Sequence, residues 1–291
     1  MTGRPVLKRI ELVANTASGG VGPDAPDAAR EILAAHGVDA RVQSPQDGDL
    51  MACLRRAVDA RPDLVVILAG DGTARAAAEL CGPKGPLLAP LPGGTMNMLP
   101  RAIYGTLSWQ DALQAILTDG EVRSLGGGEV DGRLFLIAAI LGSPALWAPA
   151  REAVRQGRFD LAWARAQRAL RRAFSGRLRY ALDDRSRGKA EAIAFLCPVG
   201  SSALADEDQM LEAAALDPAG AAEAFRLGVN AMMGDWRRDP AAQTSPCRAG
   251  AVWAAQGLPA LLDGEPVRLP ARVRITWRPD VVRVLAPRTV S

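Results

Sequence analysis

The sequence has a single histidine, His36, among its 291 residues. A serine–histidine–aspartate triad, a cysteine–histidine pair and a histidine-rich zinc site are therefore excluded unless His36 itself takes part. His36 lies just before Gly37 at the predicted end of a helix, which favours a capping role. Acid–base chemistry is thus expected to come from carboxylates.

Cysteine is also scarce, and the four cysteines are far apart in the sequence: Cys53, Cys81, Cys197 and Cys247. No two of them have the close spacing of a metal-binding pair. We expect reduced, mostly buried thiols, as in a cytoplasmic protein.

Long apolar runs are absent as well. The longest charge-free run, 134–150, is shorter than the roughly 20 residues of a membrane-spanning helix, and Gly142, Pro144 and Pro149 interrupt it. The N-terminal residues lack the apolar stretch of a signal peptide. We therefore expect a cytoplasmic protein that does not span a membrane. Its net charge of +3 neither favours nor excludes a polyanionic partner.

Residues 1–122 alternate short apolar strands with amphipathic helices. The strand-like runs include "VLKRIELVAN", "VDARVQ", "DLVVILA" and "PLLAPL". This alternation predicts parallel βαβ units and a sheet covered on both faces. Loops at the carboxyl ends of such strands form the ligand crevice.

Residues 123–291 have a different pattern, with several strand-like runs that predict an antiparallel, β-rich domain. A hairpin is expected at the Asp131-Gly132 turn, and a helical insert at roughly 150–174. The boundary is expected near residue 122, and the last strand could return to the first domain.

Three glycine-rich segments each follow a predicted strand of the first domain: "NTASGG" at 15–20, "GDGT" at 70–73 and "PGGTMN" at 92–97. Their glycines allow backbone N–H groups to approach a ligand, and the helices that follow favour an anionic group. Three such segments at one sheet edge favour a ligand that carries phosphate. The second segment has Asp71 and lacks the lysine of an ordinary phosphate loop.

Together with "LLDGE" at 261–265, these segments, in this order, resemble the diacylglycerol kinase catalytic-domain family. That family includes bacterial lipid kinases and, more distantly, sphingosine and ceramide kinases. The Gly-Asp-Gly-Thr element is also shared with NAD kinases and phosphofructokinases. The resemblance implies an N-terminal α/β domain with a parallel sheet of NAD kinase and phosphofructokinase type. It also implies a C-terminal β-sandwich-like domain, with a nucleotide cleft between the two.

The activity implied by the resemblance is phosphorylation of a lipid hydroxyl by ATP with Mg²⁺. The implied nucleotide-binding residues come from all three segments: Asn15, Ser18, Gly19, Gly70, Gly72, Thr73, Gly94, Thr95 and Asn97. Asp71 is a candidate metal ligand and a candidate base. Asp263 competes for the role of base, with Glu265 assisting, although "DGE" is also the sequence of an ordinary type I′ turn.

The sequence departs from the family pattern at several positions. Thr16 and Ala69 are small changes, whereas Met98 and Ser124 stand where relatives often have aspartate. The metal-binding network of some relatives is therefore in question, and a non-catalytic nucleotide-binding protein is one alternative. A soluble small-molecule kinase of NAD kinase type is another.

Residues 151–189 hold twelve Lys or Arg and four acidic residues. Aromatic and apolar residues recur there at helical spacing, which predicts a basic amphipathic helix that can lie on an anionic membrane surface. The cations that would face the membrane are Arg165, Arg168, Arg171 and Arg172. An ordinary core-facing helix with a solvated arginine face is equally compatible, and nucleic acid is disfavoured because no recognition motif accompanies the charge.

Overall fold

The computed structural model describes residues 5–45, 49–143, 177–183, 186–205, 208–220, 223–224, 226–227, 230 and 236–288. The predicted insert at 150–174, with Arg165, Arg168, Arg171 and Arg172, lies outside the described residues. The chain forms two compact units. The first comprises 1–127 and 279–291, and the second comprises 128–278.

The first unit alternates strands and helices, as the sequence predicts. Its elements are β1 (Arg9–Ala14), α1 (Ala25–Ala35), β2 (Asp39–Gln43), α2 (Leu50–Asp59), β3 (Leu64–Ala69), α3 (Asp71–Cys81), β4 (Leu87–Pro92), α4 (Met98–Tyr104) and α5 (Trp109–Asp119). The strands pair in parallel in the order β2-β1-β3-β4. The predicted α/β domain with a parallel sheet is confirmed.

Burial explains this architecture. All six residues of β3 are buried, and a strand that is apolar throughout requires cover on both faces of its sheet. Leu12 of β1, Leu33 of α1 and Leu113 of α5 belong to one core cluster. Among the described residues, no helix combines the length and the apolar character needed to span a membrane.

The remaining strands are β5 (Gly120–Val130), β6 (Arg133–Phe135), β7 (Ala138–Gly142), β8 (Leu178–Leu182), β9 (Ser186–Ala190), β10 (Ala192–Leu196), β11 (Leu211–Leu216), β12 (Ala242–Cys247), β13 (Ala249–Trp253), β14 (Leu258–Leu262), β15 (Glu265–Leu269) and β16 (Arg272–Pro287). One antiparallel sheet of the second unit has the order β12-β11-β10-β7-β14-β15. In the other sheet, β13 pairs with β16 and β8, and β8 pairs with β9, all antiparallel.

The two sheets of the second unit share one apolar core. Phe195 and Leu262 enter it from the first sheet, and Tyr180 and Ile275 enter it from the second. Two sheets that bury facing side chains in this way form a β-sandwich. The predicted sandwich-like domain is confirmed.

Several local predictions are also confirmed. Asp131 and Gly132 have φ values of 51° and 71°, and they join β5 to β6 in a tight hairpin. His36 caps the end of α1, with its Nδ1 2.9 Å from the carbonyl oxygen of Ile32. The four cysteines are unpaired and buried, and burial raises the pKa of Cys81 to about 12.

The end of β16 belongs to the first unit. Val284 pairs in parallel with Leu88 of β4. The Tyr104 hydroxyl at the end of α4 donates a 3.0 Å hydrogen bond to the carbonyl oxygen of Leu285. The first unit therefore needs residues from the far end of the chain to complete its sheet.

Candidate functional site

The three glycine-rich segments follow β1, β3 and β4 and meet at the carboxyl edge of the parallel sheet. The Asn15 N–H donates to the carbonyl oxygen of Leu68 at 2.9 Å, and the Gly20 N–H donates to that of Gly93 at 3.1 Å. The first segment is thereby fixed both to the end of β3 and to the third segment.

Two glycines of the third segment allow its backbone to pack directly on the end of β3. A Cβ on Gly94 would lie 2.7 Å from the Cα of Gly70, and a Cβ on Gly93 would lie 2.6 Å from the nitrogen of Ala69. Real Cβ atoms do not approach other atoms so closely. These two glycines are therefore required for contact between the segments, whether or not a ligand is bound.

Helix α3 begins at Asp71, so Gly-Asp-Gly-Thr is its first turn. The segment is therefore part of the helix that was expected to follow it, because Gly70 is already the N-cap. The Thr73 and Ala74 N–H groups both donate to the Gly70 carbonyl oxygen at 3.1 Å. The amides of the first turn lie at the positive end of the helix dipole, where an anion is stabilised.

The carboxylate of Asp71 links two helix starts. Its Oδ1 accepts a 3.2 Å hydrogen bond from the N–H of Leu99, in the first turn of α4. Asn97 caps that helix in a left-handed conformation with φ of 50°. The Asn97 Oδ1 in turn accepts a 2.7 Å bond from the Gly94 N–H. Asp71 is only half-buried, so it is accessible at the point where the second and third segments meet.

The implied nucleotide-binding residues of the first unit are thus brought together at one edge. A Cβ added to Gly19 would lie 3.6 Å from the Thr95 Oγ1, and a Cβ added to Gly70 would lie 3.7 Å from the Ser18 Oγ. Each of the nine is half-buried or exposed: Asn15, Ser18, Gly19, Gly70, Gly72, Thr73, Gly94, Thr95 and Asn97. The cluster offers hydroxyls, amide groups and backbone N–H groups to an anionic ligand.

Asp263 belongs to the second unit, in the type I′ turn between β14 and β15. Its φ is 48°, and that of Gly264 is 84°. The Asp263 side chain is buried and accepts three backbone hydrogen bonds, from Leu136 at 2.8 Å, Ile137 at 2.8 Å and Ala138 at 3.0 Å. These bonds fix the hairpin to the start of β7.

Both carboxylate oxygens of Asp263 are therefore engaged by the protein's own amides. Glu265 is half-buried at the first position of β15. The structure favours a positioning role for Asp263, while the assignment of the base between Asp71 and Asp263 stays a prediction.

Carboxylates are sparse around the glycine-rich segments. Among the described residues, no three His, Cys, Asp or Glu side chains lie close enough together to hold a metal ion. Magnesium is often held by one or two carboxylates together with the phosphates of a substrate. Asp71 fits that pattern because it lies where phosphates would meet the first turn of α3.

Asp280 is a carboxylate that the sequence pattern did not reveal. The Ser124 hydroxyl donates a 2.8 Å hydrogen bond to the Asp280 Oδ1 within the first unit. These residues are 156 positions apart, and only the return of β16 to the first unit brings them together. A carboxylate is thus present beside Ser124, although Ser124 itself is not acidic.

Comparison with known proteins agrees with this geometry. Residues 9–130 match the diacylglycerol kinase catalytic domain. The fold resembles that of a diacylglycerol kinase from Bacillus anthracis str. Sterne, with 14% identity, a TM-score of 0.70 and coverage of 99% of this chain and 100% of that one. A proposed diacylglycerol kinase from the same organism has 16% identity, a TM-score of 0.74 and the same coverage.

A more distant likeness is to yeast NADH kinase complexed with NADH. It has 12% identity and a TM-score of 0.53, and it covers 96% of this chain and 83% of that one. The matched residues 9–130 contain all three glycine-rich segments in mutual contact. Residues 9–130 therefore match the model of the diacylglycerol kinase catalytic domain, and the fold of the chain resembles that of the kinases named above.

Proposed function

We propose that the protein transfers the γ-phosphate of ATP to a hydroxyl group of a lipid such as diacylglycerol or a sphingoid base. The observation that carries this proposal is the contact of three glycine-rich segments at the sheet edge of a kinase domain, with Asp71 in the first turn of α3. This arrangement offers backbone amides to phosphate and a carboxylate to the reacting groups.

The nucleotide would bind along the three segments. Backbone N–H groups at the start of α3 would receive phosphate oxygens, because these groups and the helix dipole both favour negative charge. The hydroxyls of Ser18, Thr73 and Thr95 and the amides of Asn15 and Asn97 would add hydrogen bonds. Magnesium, when bound, would neutralise phosphate charge, with Asp71 as the protein carboxylate available to it.

In the transfer step, the acceptor oxygen bonds to the γ-phosphorus and the bond from that phosphorus to the β–γ bridging oxygen breaks. ADP leaves, and the hydroxyl proton passes to a carboxylate. We propose Asp71 as that base. Its side chain is half-buried and lies in the first turn of α3, where phosphate would bind, whereas the Asp263 carboxylate is buried and holds three backbone N–H groups. Asp263 would then hold its hairpin in place through these bonds, with Glu265 at the start of β15.

The test is transfer from ATP labelled in its γ-phosphate, with Mg²⁺, to defined acceptors. Diacylglycerol and a sphingoid base in mixed micelles are compared with soluble NAD and sugars. Labelled phospholipid supports the proposal. Label found only in a soluble acceptor would instead favour a small-molecule kinase, which the likeness to yeast NADH kinase makes the second candidate. Nucleotide binding without transfer to any acceptor would indicate a non-catalytic protein.

A lipid acceptor would place the protein in the cytoplasm with a peripheral location at the inner face of the membrane. The arginines first suggested for membrane contact, Arg165, Arg168, Arg171 and Arg172, lie outside the described residues. Their role is part of the proposal. Separation of membrane and soluble fractions tests this location, and a protein found wholly in the soluble fraction would oppose it.

A further inference from the structure

The second sheet of the second unit buries one face and exposes the other. Tyr180 of β8, Val252 of β13 and Val273 of β16 are in register and buried in the shared core. Because successive side chains of a strand point to opposite faces, the neighbouring residues along these strands lie on the outer face.

The strand register places these outer residues in two cross-strand rows. The first row runs across four strands as Arg272, Trp253, Arg179 and Lys189. The second row runs as Arg274, Ala251, Ala181 and Arg187. We name these eight residues the basic sheet face. Five of the eight are cationic and none is acidic.

The charge of the basic sheet face is not neutralised by its described surroundings. All five cationic residues are exposed. In the part of the chain that the structure describes, none of the five forms an ion pair with a carboxylate. The nearby carboxylate of Asp183 accepts backbone bonds from Arg248 at 3.1 Å and Ala249 at 2.8 Å.

Like charges also stand directly opposite each other, since Arg179 pairs with Lys189 across β8 and β9. Such pairs destabilise a sheet. Lys189 lies in the edge strand β9, where a lysine can be explained as protection against pairing with a strand of another chain. Edge protection does not explain Arg179 in β8, or Arg272 and Arg274 in β16. A polyanionic partner would relieve the repulsion among all five.

The middle of the basic sheet face is concave. Small side chains, Ala181 and Ala251, line a cavity of about 390 Å³ together with Arg272, Arg274 and one acidic residue, Asp183. The Arg272 guanidinium lies 6.0 Å from the centre of the Trp253 ring. Guanidinium groups bind phosphate through paired hydrogen bonds, and tryptophan is enriched at membrane–water interfaces.

We propose that the basic sheet face binds an anionic membrane surface through the phosphates of lipid head groups. Two rows of cations across four strands suit an array of phosphates, and no helix rises from these eight positions to enter the groove of a nucleic acid. The choice of a lipid partner rests on the proposed function, whereas the cationic face itself does not.

The test is co-sedimentation with vesicles in the absence of ATP, so that the result does not depend on catalysis. Vesicles of phosphatidylcholine alone are compared with vesicles that also contain phosphatidylglycerol. The double variant Arg272→Ser/Arg274→Ser is expected to bind the anionic vesicles about thirtyfold more weakly, from roughly fivefold for each cation. Higher salt should weaken wild-type binding.

The matched control is Arg41→Ser/Arg55→Ser, which removes the same charge from exposed positions of the first unit. It should bind like the wild type. If Arg272→Ser/Arg274→Ser does not fold, Arg187→Ser/Lys189→Ser on the edge strand provides the same test. Transfer to a soluble short-chain acceptor should be unchanged in the double variant. If the wild type binds anionic vesicles but transfers phosphate to no acceptor, the proposed function fails and this inference stands.

Three results would overturn the inference. The first is equal binding of the wild type and Arg272→Ser/Arg274→Ser to anionic vesicles. The second is equal loss of binding in the Arg41→Ser/Arg55→Ser control, which would show that only net charge matters. The third is displacement of wild-type protein from the vesicles by a duplex oligonucleotide whose phosphate concentration is below that of the anionic lipid. This result would assign the face to nucleic acid.

Discussion

Asp263 and Asp131 occupy the same kind of turn and have different surroundings. Both precede glycine and have positive φ, 48° and 51°. The Asp263 carboxylate is buried and accepts three backbone N–H bonds, whereas Asp131 is exposed. The Asp-Gly sequence predicts both turns but cannot show which aspartate reaches the amides of another strand.

Replacing Asp263 should therefore cost much more stability than replacing Asp131. We expect Asp263→Ala to lower the free energy of unfolding by about 3 kcal/mol or more, because three buried amides lose a charged acceptor. Asp131→Ala is the matched control, because the alanine must also adopt a positive φ there. None of the three hydrogen bonds to Asp263 is lost in this control. Urea unfolding measures both. Equal losses in the two variants would contradict the positioning role of Asp263.

Asp239 gives a prediction about pH. Hydrogen bonds from Arg226, then from the N–H of Ala241, and a smaller contribution from Asn230 lower the Asp239 pKa from 3.8 to about 2. Because its pKa is lower in the folded state, its contribution to stability is complete above the unfolded value. That contribution is lost as the pH falls from about 4 to about 2.

The measurement is the free energy of unfolding across this acidic range for wild type and Asp239→Asn. The variant should be less stable at neutral pH, and its stability should fall less steeply with acid than that of the wild type. If the free energies of unfolding of the two proteins fall in parallel from pH 5 to pH 2, Asp239 does not supply this acid sensitivity.

The packing of the glycine-rich segments gives the next prediction, at the scale of the element. Gly94→Ala would place a Cβ 2.7 Å from the Cα of Gly70, so the third segment must move away from the start of α3. Displacement of a positioning group by about 1 Å can lower a rate about 100-fold. We expect a loss of this size in γ-phosphate transfer.

Gly22→Ala is the control for Gly94→Ala. Gly22 lies just after the first segment, and a Cβ there would have no atom within 4 Å. Its transfer rate and thermal midpoint should match the wild type. Normal transfer by Gly94→Ala would contradict the view that contact between the segments sets the site geometry.

The strands differ in how well their sequences predict them. β3 is apolar throughout and is readily recognised, whereas β11 has the sequence "LEAAAL", and alanine and glutamate favour helices when they stand alone. β11 is a strand because β10 and β12 pair with it on both sides. Likewise β16 is one strand of 16 residues where the sequence indicates two runs separated near Pro279.

At the scale of the whole molecule, alternation of apolar strands and helices was sufficient to predict the α/β domain, and short strand runs were sufficient to predict the sandwich. The three glycine-rich segments were predicted to lie at one sheet edge because parallel strands end together. What the sequence could not reveal depends on distant pairing. The bond from Ser124 to Asp280 and the two rows of the basic sheet face exist only through the register of strands far apart in the chain.

The central claim is that the kinase domain transfers phosphate through Asp71. The most direct measurement is the rate of γ-phosphate transfer to diacylglycerol or a sphingoid base by wild type and Asp71→Asn at saturating ATP. Loss of a general base predicts a rate lower by about 10²–10⁴-fold, with ATP still bound and the rate still low at saturating Mg²⁺. Recovery of the wild-type rate at raised Mg²⁺ would limit Asp71 to the role of a metal ligand and contradict its role as base. Transfer at the wild-type rate by Asp71→Asn would contradict the account.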